Sequence, residues 1–451
     1  MNDNNQMNRS LKNRHIQMIA LGGAIGTGLF YGSGATIKMA GPAVSLSYLI
    51  GGIIIFLIMR MLGEMSVEDP QSGSFAYFAN KYWGPFPGFL AGWSYYITYG
   101  IASMAELTAV GIYMNFWFPD LPQWVSALIC LVVITLINLV TVRLFGEIEF
   151  GISFIKIIAI IAMIVFGTII LFADSSYGSF PQNFGNLWMN GGYMPNGWWG
   201  LAMSIVIAMF SFGGVELIGV TAGESETPEK SIPKATNEVL LRILIFYVGT
   251  MIVLLALYPW DQIGQHGSPF VLIFEYIGIP AAAHLLNIVV LAAAISVYNS
   301  ALYVNSRILY SMAGDHHAPA FFKNLTAHQV PYMGVIFTSG LTALTVILNY
   351  LFPSKVFMYL VAFTVAALII IWTAIVLTHM KFREKKVAEG TVVSLKFKSL
   401  WYPFSNYICL AFMAALVIVM YQIPDMDLAV YFIPITIICM YIIFKLSHQK
   451  G

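Results

Sequence analysis

Charge is scarce in this chain of 451 residues, since only 10% of them are Asp, Glu, Lys or Arg while 59% are apolar. Soluble proteins carry about 25% charged residues, so a water-soluble globular fold is excluded. The formal net charge of +1 also excludes an intrinsically disordered chain and a nucleic-acid binder. Cysteine is rare as well, because there are only three, all within apolar runs, which excludes a disulfide scaffold. The composition therefore indicates an all-α polytopic membrane protein.

Long apolar runs account for most of the chain. A bilayer core of about 30 Å requires about 20 apolar residues in a helix, and twelve stretches meet that length. They predict transmembrane helices near 16–38, 42–63, 88–117, 122–141, 150–172, 199–222, 239–259, 280–312, 332–351, 356–379, 403–422 and 428–446. The polar residues 1–15 lack the apolar core and cleavage site of a signal peptide, so we expect an N-terminal tail there and a C-terminal tail over 447–451.

Lysine and arginine are distributed unevenly between the predicted connections. With the N-terminus inside, 19 of the 22 fall in inside segments or adjoining span ends, only Lys38 and Lys355 fall outside, and Lys156 lies within a span. Because cytoplasmic loops retain positive charge, both termini are predicted to be cytoplasmic and the protein to lie in the cell membrane. The basic segment Lys381 to Lys398 is interpreted as a topology determinant, with anionic-lipid binding as the alternative.

Glycine clusters interrupt two of the spans, at residues 22–34 in the first and at 213–214 in the sixth. Close helix packing is one explanation. Interruptions at corresponding positions of two halves instead indicate a transporter built of repeats around a midplane site. Because these spans are five apart, they predict a 5+5 inverted repeat with discontinuous helices 1 and 6. The predicted single transmembrane domain, 16–446, divides into repeat one at about 16–172, repeat two at about 199–379 and extra helices at about 403–446.

Broken helices supply unpaired backbone groups that can bind a ligand. The second half of span 1 begins near Gly26 to Gly28 with free N–H groups, which suit a carboxylate. Its first half ends near Ala24 and Ile25 with free carbonyls, and the first half of span 6 ends near Phe210 with more carbonyls, which suit an ammonium group. Unpaired backbone at this depth must line a cavity or contact a ligand, and an amino acid zwitterion fits both halves.

Three titratable groups within spans need an explanation, because a charge at a helix centre costs about 2.5 to 3.5 kcal/mol. Lys156 either extends its ammonium group to the inner headgroups or is a buried amine that binds and releases a proton or replaces a sodium ion. Glu216 closes the span 6 interruption and is expected to cap the restarted half-helix, which is compatible with a proton-linked role. Glu106 either lines the cavity or forms an interhelical hydrogen bond.

Enzyme motifs are missing from the sequence. Gly26-Thr27-Gly28 does not open a βαβ unit, which excludes a dinucleotide site, and His316-His317 lacks any metal-ligand spacing. We therefore expect no catalytic residue, no metal and no cofactor other than a proton as coupling ion. The expected partners are a small amino acid substrate and the lipid bilayer, with no nucleic acid and no obligatory protein.

Several segments together resemble one known family. Over essentially its full length the chain resembles the amino acid transporter family of the amino acid-polyamine-organocation superfamily. The segments that carry the resemblance are Leu21 to Phe30, Met61 to Ser66, Gly73 to Tyr77, Met104 to Gly111, Phe210 to Glu216, Glu224 to Ala235 and Ser296 to Leu309. The resemblance implies a proton-coupled permease with the 5+5 inverted-repeat fold.

The resemblance also implies roles for individual residues. It puts the substrate carboxylate on the N–H groups around Thr27 and Gly28 and the gating aromatic at Phe210. It implies that Lys156 occupies the place of a sodium ion in sodium-coupled relatives. The substrate ammonium group would meet carbonyls of Ala24 or Ile25, Phe210 and Gly213.

The predicted function is import of a neutral amino acid, aliphatic, aromatic or proline-type, by proton symport. Lys156, Glu216, Glu106 and Phe210 are the candidates for proton coupling or gating. An amino acid exchanger and a non-transporting amino acid sensor remain alternatives. A channel is disfavoured because two interrupted helices do not form a continuously open pore lined by charges or carbonyls.

Overall fold

The computed structural model describes residues 25–71, 73–140, 142–173, 181–220, 227–263, 267–314, 317–326 and 329–448. Helices dominate these ranges and no strand occurs in them, which confirms the all-α prediction for this part of the chain. The α-helices are α1 Thr27–Phe30, α2 Gly32–Ala40, α3 Val44–Glu68, α4 Ser74–Tyr82, α5 Pro85–Met114, α6 Gln123–Val140, α7 Val142–Phe172, α8 Gly197–Phe210, α9 Leu217–Val220, α10 Pro228–Arg242, α11 Thr250–Leu257, α12 Pro269–Tyr276, α13 Pro280–Gly314, α14 Tyr332–Thr342, α15 Leu344–Leu351, α16 Val356–Ala388, α17 Phe404–Met420 and α18 Asp427–His448. A π-helix, Ile243–Gly249, joins α10 to α11.

Eight helical stretches among the described residues are long and apolar enough to cross a membrane. They are Gly32–Glu68, Pro85–Met114, Gly151–Phe172, Pro228–Leu257, Pro280–Gly314, Tyr332–Leu351, Val356–Ala388 and Asp427–Ser447. Gln123–Leu139, Gly197–Phe210 and Phe404–Met420 are shorter apolar helices. The first predicted span begins outside the described residues, so the total of twelve stays a prediction.

Local sequence determines several helix boundaries. Gly41 has a φ of +61° and separates α2 from α3, close to the predicted boundary between the first two spans. Pro at the first helical position is pre-organised for a helix start, and α10 begins at Pro228, well before the predicted span start at 239. The helices α4 and α12 were not predicted, because at nine and eight residues they are too short to meet the spanning length.

Helix α5 lies at the centre of the packing that positions the candidate site. It packs against both α13 and α16, while the short α1 contacts α5, α8 and α13. In contrast, α7 and α18 leave large apolar side chains exposed, including Ile158, Ile169 and Ile438. An extended apolar surface of this kind is what a bilayer would cover.

Candidate functional site

The chain interrupts its helical conformation between α8 and α9. Helix α8 ends at Phe210, and residues 211–216, named here the 211–216 turn, form successive turns before Leu217. Gly214 has a φ of +101°, a conformation that glycine adopts without the steric cost of a Cβ. The buried carboxylate of Glu216 accepts hydrogen bonds from the Gly214 N–H at 3.2 Å to each oxygen. Glu216 thus holds the turn in place through a residue that precedes the restarted half-helix, and the capping of that half-helix stays a prediction.

Helix α1 meets the 211–216 turn at very short range. A Cβ placed on Gly28 would lie 2.7 Å from Ser211 Cα, so only glycine allows this approach. On the other side of the interruption, the Tyr247 hydroxyl donates to the Ser211 carbonyl at 3.0 Å. The two glycine-rich segments predicted from the sequence, which lie far apart in the chain, are therefore in direct contact.

Glu106 joins α5 to the start of α1. Its Oε1 accepts hydrogen bonds from the Thr27 hydroxyl at 2.9 Å and from the Thr27 N–H at 3.4 Å. Both residues are buried, and Oε2 of Glu106 has no hydrogen-bond partner among the residues that the structure describes. Because Glu106 also faces the cavity described next, both roles predicted for it, cavity lining and an interhelical hydrogen bond, are present.

A cavity of about 50 Å³ lies between these elements. It brings together five of the predicted site residues: Gly28, Phe210, Gly213, Glu106 and Glu216. The rest of its lining comes from α5, α13, α16 and the two interruptions: Gly26, Thr98, Tyr99, Ala102, Ser211, Gly214, Val297, Ala301 and Thr364. Carboxylates, backbone groups and aromatic rings therefore meet in one buried space.

Aromatic rings form a chain that starts at the cavity wall. Phe210 packs edge-on against Phe357, with ring centroids 6.3 Å apart, and Phe357 packs edge-on against Tyr31 at 4.6 Å. Tyr31 in turn meets Tyr113 of α5 at 6.3 Å. Phe210 is buried and lines the cavity, whereas the other three rings of this aromatic cluster do not.

Lys156 lies inside the helix packing rather than at its edge. Its side chain is fully buried, and Nζ donates to the Ser296 hydroxyl of α13 at 3.1 Å. The alternative in which the ammonium group extends to the headgroups is therefore wrong. Lys156 does not line the cavity.

Two of the predicted substrate-binding residues lie before α1. Ala24 falls outside the described residues, while Ile25 is described and is 2% exposed. Among the residues that the structure describes, no three His, Cys, Asp or Glu side chains are grouped as a metal site.

Several cavity residues were not predicted from the sequence. Thr98 and Ala102 lie about two turns and one turn before Glu106, and residues four positions apart share a helix face. Val297 and Ala301 are related in the same way on α13. The helical spacing from Glu106 could have identified the first pair, whereas the second lies in Ser296 to Leu309, a segment that carries the family resemblance without a role for either residue.

Comparison with known proteins identifies the family. A family model described as amino acid permease matches residues 15–450. The chain belongs to the amino acid permease family. This permease is therefore a multi-pass membrane protein of an amino acid transport family, and its relatives are named as transport proteins and permeases rather than enzymes.

Three relatives illustrate the similarity. The aromatic amino acid transport protein AroP of Salmonella typhimurium (strain SL1344) is 53% identical over 431 residues, which are 95% of this permease and 93% of the relative. AroP of Escherichia coli (strain K12) is 52% identical over 448 residues, 99% and 97% of the two chains. The amino-acid permease AapA of Bacillus subtilis (strain 168) is 44% identical over 446 residues, 99% and 96% of the two chains.

Proposed function

We propose that this permease imports aromatic amino acids across the cell membrane by proton symport. The proposed architecture has twelve transmembrane helices, a 5+5 inverted repeat within the single domain 16–446, discontinuous helices 1 and 6, and both termini in the cytoplasm. The hydrogen bonds from Thr27 to Glu106 at the wall of a buried cavity are the observation that carries the proposal.

The substrate backbone would bind between α1 and the 211–216 turn. Its carboxylate would accept from the N–H groups of Thr27 and Gly28, and its ammonium group would donate to carbonyls of Ala24 or Ile25, Phe210 and Gly213. The short approach of Gly28 to Ser211 supports this arrangement, because it brings donors of one segment and acceptors of the other to the same cavity.

Glu106 would couple the proton to the substrate. Its carboxylate now accepts from the Thr27 N–H, one of the donors that the substrate carboxylate would use. Two ionised carboxylates at one buried donor repel each other strongly, so substrate binding favours a proton on Glu106. Lys156 would stabilise the ionised form of Glu106 after the proton leaves, and Glu216 would hold the turn and offer a second proton site.

Two observations support an aromatic substrate. The AroP relatives, at 52 to 53% identity, carry that specificity in their names. The cavity is also bounded by Tyr99 and Phe210, rings that can pack against a substrate ring.

The volume of the cavity, about 50 Å³, is below the roughly 300–1,000 Å³ of ligand pockets. Phe210 would therefore have to move when the substrate enters, which agrees with a gating role.

Uptake by purified permease in proteoliposomes tests this function. We expect labelled phenylalanine to accumulate when the outside is acidic and sodium is absent, and tyrosine and tryptophan to compete whereas lysine does not. Protein-free liposomes are the control. Accumulation that requires sodium and ignores pH would overturn proton symport.

The same preparation separates the two alternatives. An exchanger would take up phenylalanine only when amino acid is already present inside. A sensor would show a phenylalanine-dependent rise in unfolding temperature, which reports binding, without any uptake. Either result would replace the proposed function.

A further inference from the structure

A second group of buried ionisable side chains lies apart from the cavity, near the far end of α3. Glu64 is fully buried, and its Oε2 lies 2.9 Å from His379 Nε2 and 3.0 Å from Arg383 Nη2 on α16. Arg383 Nε is 2.7 Å from the other carboxylate oxygen, and the Ser399 N–H donates to Oε2 at 2.7 Å. One carboxylate thus joins two helices and the connection that follows α16.

The hydrogen bonds around His379 determine which ring nitrogen carries the proton. Asn406 of α17 donates its amide to the Val376 carbonyl at 3.2 Å, and the same nitrogen lies 3.0 Å from His379 Nδ1. Nδ1 is therefore the acceptor, and the neutral ring carries its proton on Nε2, which donates to Glu64. We name Glu64, His379, Arg383, Ser399 and Asn406 the Glu64 cluster.

A non-helical segment, residues 395–399, bends at 396–397 beside the Glu64 cluster and is named here the strap. Its side chains alternate, since Leu395, Phe397 and Ser399 are buried whereas Lys396 and Lys398 are exposed. Three of the five side chains of the strap are therefore seated in the protein.

One face of α3 holds the strap at three successive turns. Glu68 accepts a hydrogen bond from the Lys396 N–H at 3.1 Å, and Glu64 accepts one from the Ser399 N–H. Between these two points of the strap, the Arg60 guanidinium lies 3.9 Å over the Phe397 ring. Arg60 also donates to the Lys398 carbonyl and, at 3.0 Å, to Asn237 of α10. Residues four apart share a helix face, so 60, 64 and 68 form a continuous binding row.

The helices that carry the Glu64 cluster also reach the candidate site. On α3, a Cβ at Gly51 would lie 3.1 Å from Phe212 Cε2, so this helix backs the 211–216 turn. On α16, Thr364 lines the cavity, and a Cβ at Gly213 would lie 3.2 Å from Leu368. The two helices are therefore bonded to each other at one end, while farther along α16 lines the cavity and α3 backs the 211–216 turn.

We propose that the Glu64 cluster and the strap form a latch that keeps the cytoplasmic side of this permease closed. The latch must separate before the cavity can open to the cytoplasm. A buried ion pair is weak evidence for stability, and the role proposed for this one is to fix α3 against α16. The proposal rests on the transport function and orientation proposed above.

Thiol labelling from the two faces of the membrane tests the latch. A reporter cysteine, Ala102→Cys, is placed in the cavity wall of a chain in which the native cysteines are replaced by alanine: Cys130, Cys409 and Cys439. Labelling with an impermeant thiol reagent is then measured in inside-out and in right-side-out vesicles. The latch variant is Glu64→Gln/Arg383→Gln, which removes both charges together and leaves no unpaired ion.

We expect the latch variant to label about tenfold faster from the cytoplasmic face, a typical size for a coupling between two sites, and no faster from the outer face. The control variant is Asp69→Asn/Lys81→Gln, which removes a more exposed ion pair next to α3 and should label at the parental rate. Equal acceleration from both faces would show general loosening and overturn the latch. An unchanged labelling rate in a folded latch variant would overturn the latch as well.

A second variant covers the case in which the buried double substitution does not fold. Arg60→Gln/Glu68→Gln loosens the strap at partly exposed positions and leaves the Glu64 cluster intact. We expect the same one-sided acceleration, about threefold rather than tenfold because the buried contacts remain. Labelling at the parental rate from both faces would overturn the role of the strap.

Substrate protection separates this proposal from the proposed function. Phenylalanine should slow the labelling of the reporter in the parent. If it does not, while the latch variant still labels faster from the cytoplasmic face, the proposed substrate fails and the latch stands. If phenylalanine protects but the latch variant labels like the parent, the latch alone fails.

Discussion

Gly28 is the residue at which the candidate site leaves no space for a side chain. In Gly28→Ala the new Cβ would lie 2.7 Å from Ser211 Cα, a backbone atom that cannot move away locally. We expect this overpacking to destabilise the contact between α1 and the 211–216 turn by about 1 to 3 kcal/mol. Phenylalanine binding, measured by calorimetry, should become weaker as a result. The matched control is Gly32→Ala, whose Cβ would meet only the Thr27 carbonyl at 3.7 Å. Equal effects of the two changes would contradict this geometry.

Glu106 can be made unable to carry a proton with little change of shape. In Glu106→Gln the amide oxygen can still accept from Thr27, but no group titrates at that position. We expect exchange of labelled for unlabelled phenylalanine to persist. When one proton is carried with each substrate, a difference of one pH unit drives an about tenfold accumulation. This accumulation should be lost. Accumulation that still follows the pH gradient would remove Glu106 from the coupling step.

Lys156 is expected to be needed for coupling because, in the proposed mechanism, its buried charge stabilises the ionised form of Glu106 from outside the cavity. Lys156→Ala should abolish accumulation driven by a proton gradient. Ser296→Ala, which removes one hydrogen bond but keeps the ammonium group, should reduce accumulation only in part. Uptake is measured in parallel proteoliposomes with equal amounts of inserted protein. Normal accumulation by Lys156→Ala would exclude the coupling role.

Among the helices, α15 and α5 are tied by a short polar network away from the cavity. Asn349 donates to the Thr108 hydroxyl at 2.9 Å, and Thr345 donates to the Met104 carbonyl at 3.1 Å. An interhelical hydrogen bond in a membrane contributes about 1 kcal/mol. Asn349→Ala should therefore lower the unfolding temperature and leave phenylalanine affinity unchanged, whereas Tyr350→Phe, on an exposed side chain, should change neither. A change in affinity would show that this contact reaches the site.

Helices were predictable from the sequence to the extent that length and hydropathy define them. A spanning helix needs about 20 apolar residues, so α5, α13 and α16 were expected close to where they lie. The short α4 and the strap have no such signature. They are held by contacts that only the folded chain provides, such as those of Arg60 with Phe397 and Lys398.

The candidate site was predictable at the two glycine interruptions and where a charged residue lies within a span. Glu106, Glu216 and Lys156 were expected to matter because charge within a span is costly. Their partners are remote in sequence, since Glu106 and Thr27 are 79 positions apart. For the same reason the sequence predicted nothing about Glu64, whose partner His379 is 315 positions away.

For the molecule as a whole, the proposed transport cycle moves net charge. One proton and one zwitterion carry a single positive charge inward, and this is worth about 2.3 kcal/mol per 100 mV. An inside-negative potassium diffusion potential should therefore drive phenylalanine accumulation by about 50-fold per 100 mV even without a pH difference. An exchanger of neutral amino acids would not respond to the potential. Uptake indifferent to voltage would contradict one-proton symport.

The length of α3 has a mechanical consequence. Tyr48 and Glu64 lie on this one helix, and the Tyr48 ring packs against Phe212 with ring centroids 6.2 Å apart. At about 1.5 Å per residue they are about 24 Å apart, so a tilt of about 10° pivoting near Tyr48 would displace Glu64 by about 4 Å. That displacement exceeds the length of a hydrogen bond. A small change of tilt at the end of α3 near the 211–216 turn is therefore enough to break the hydrogen bonds of Glu64 at the other end.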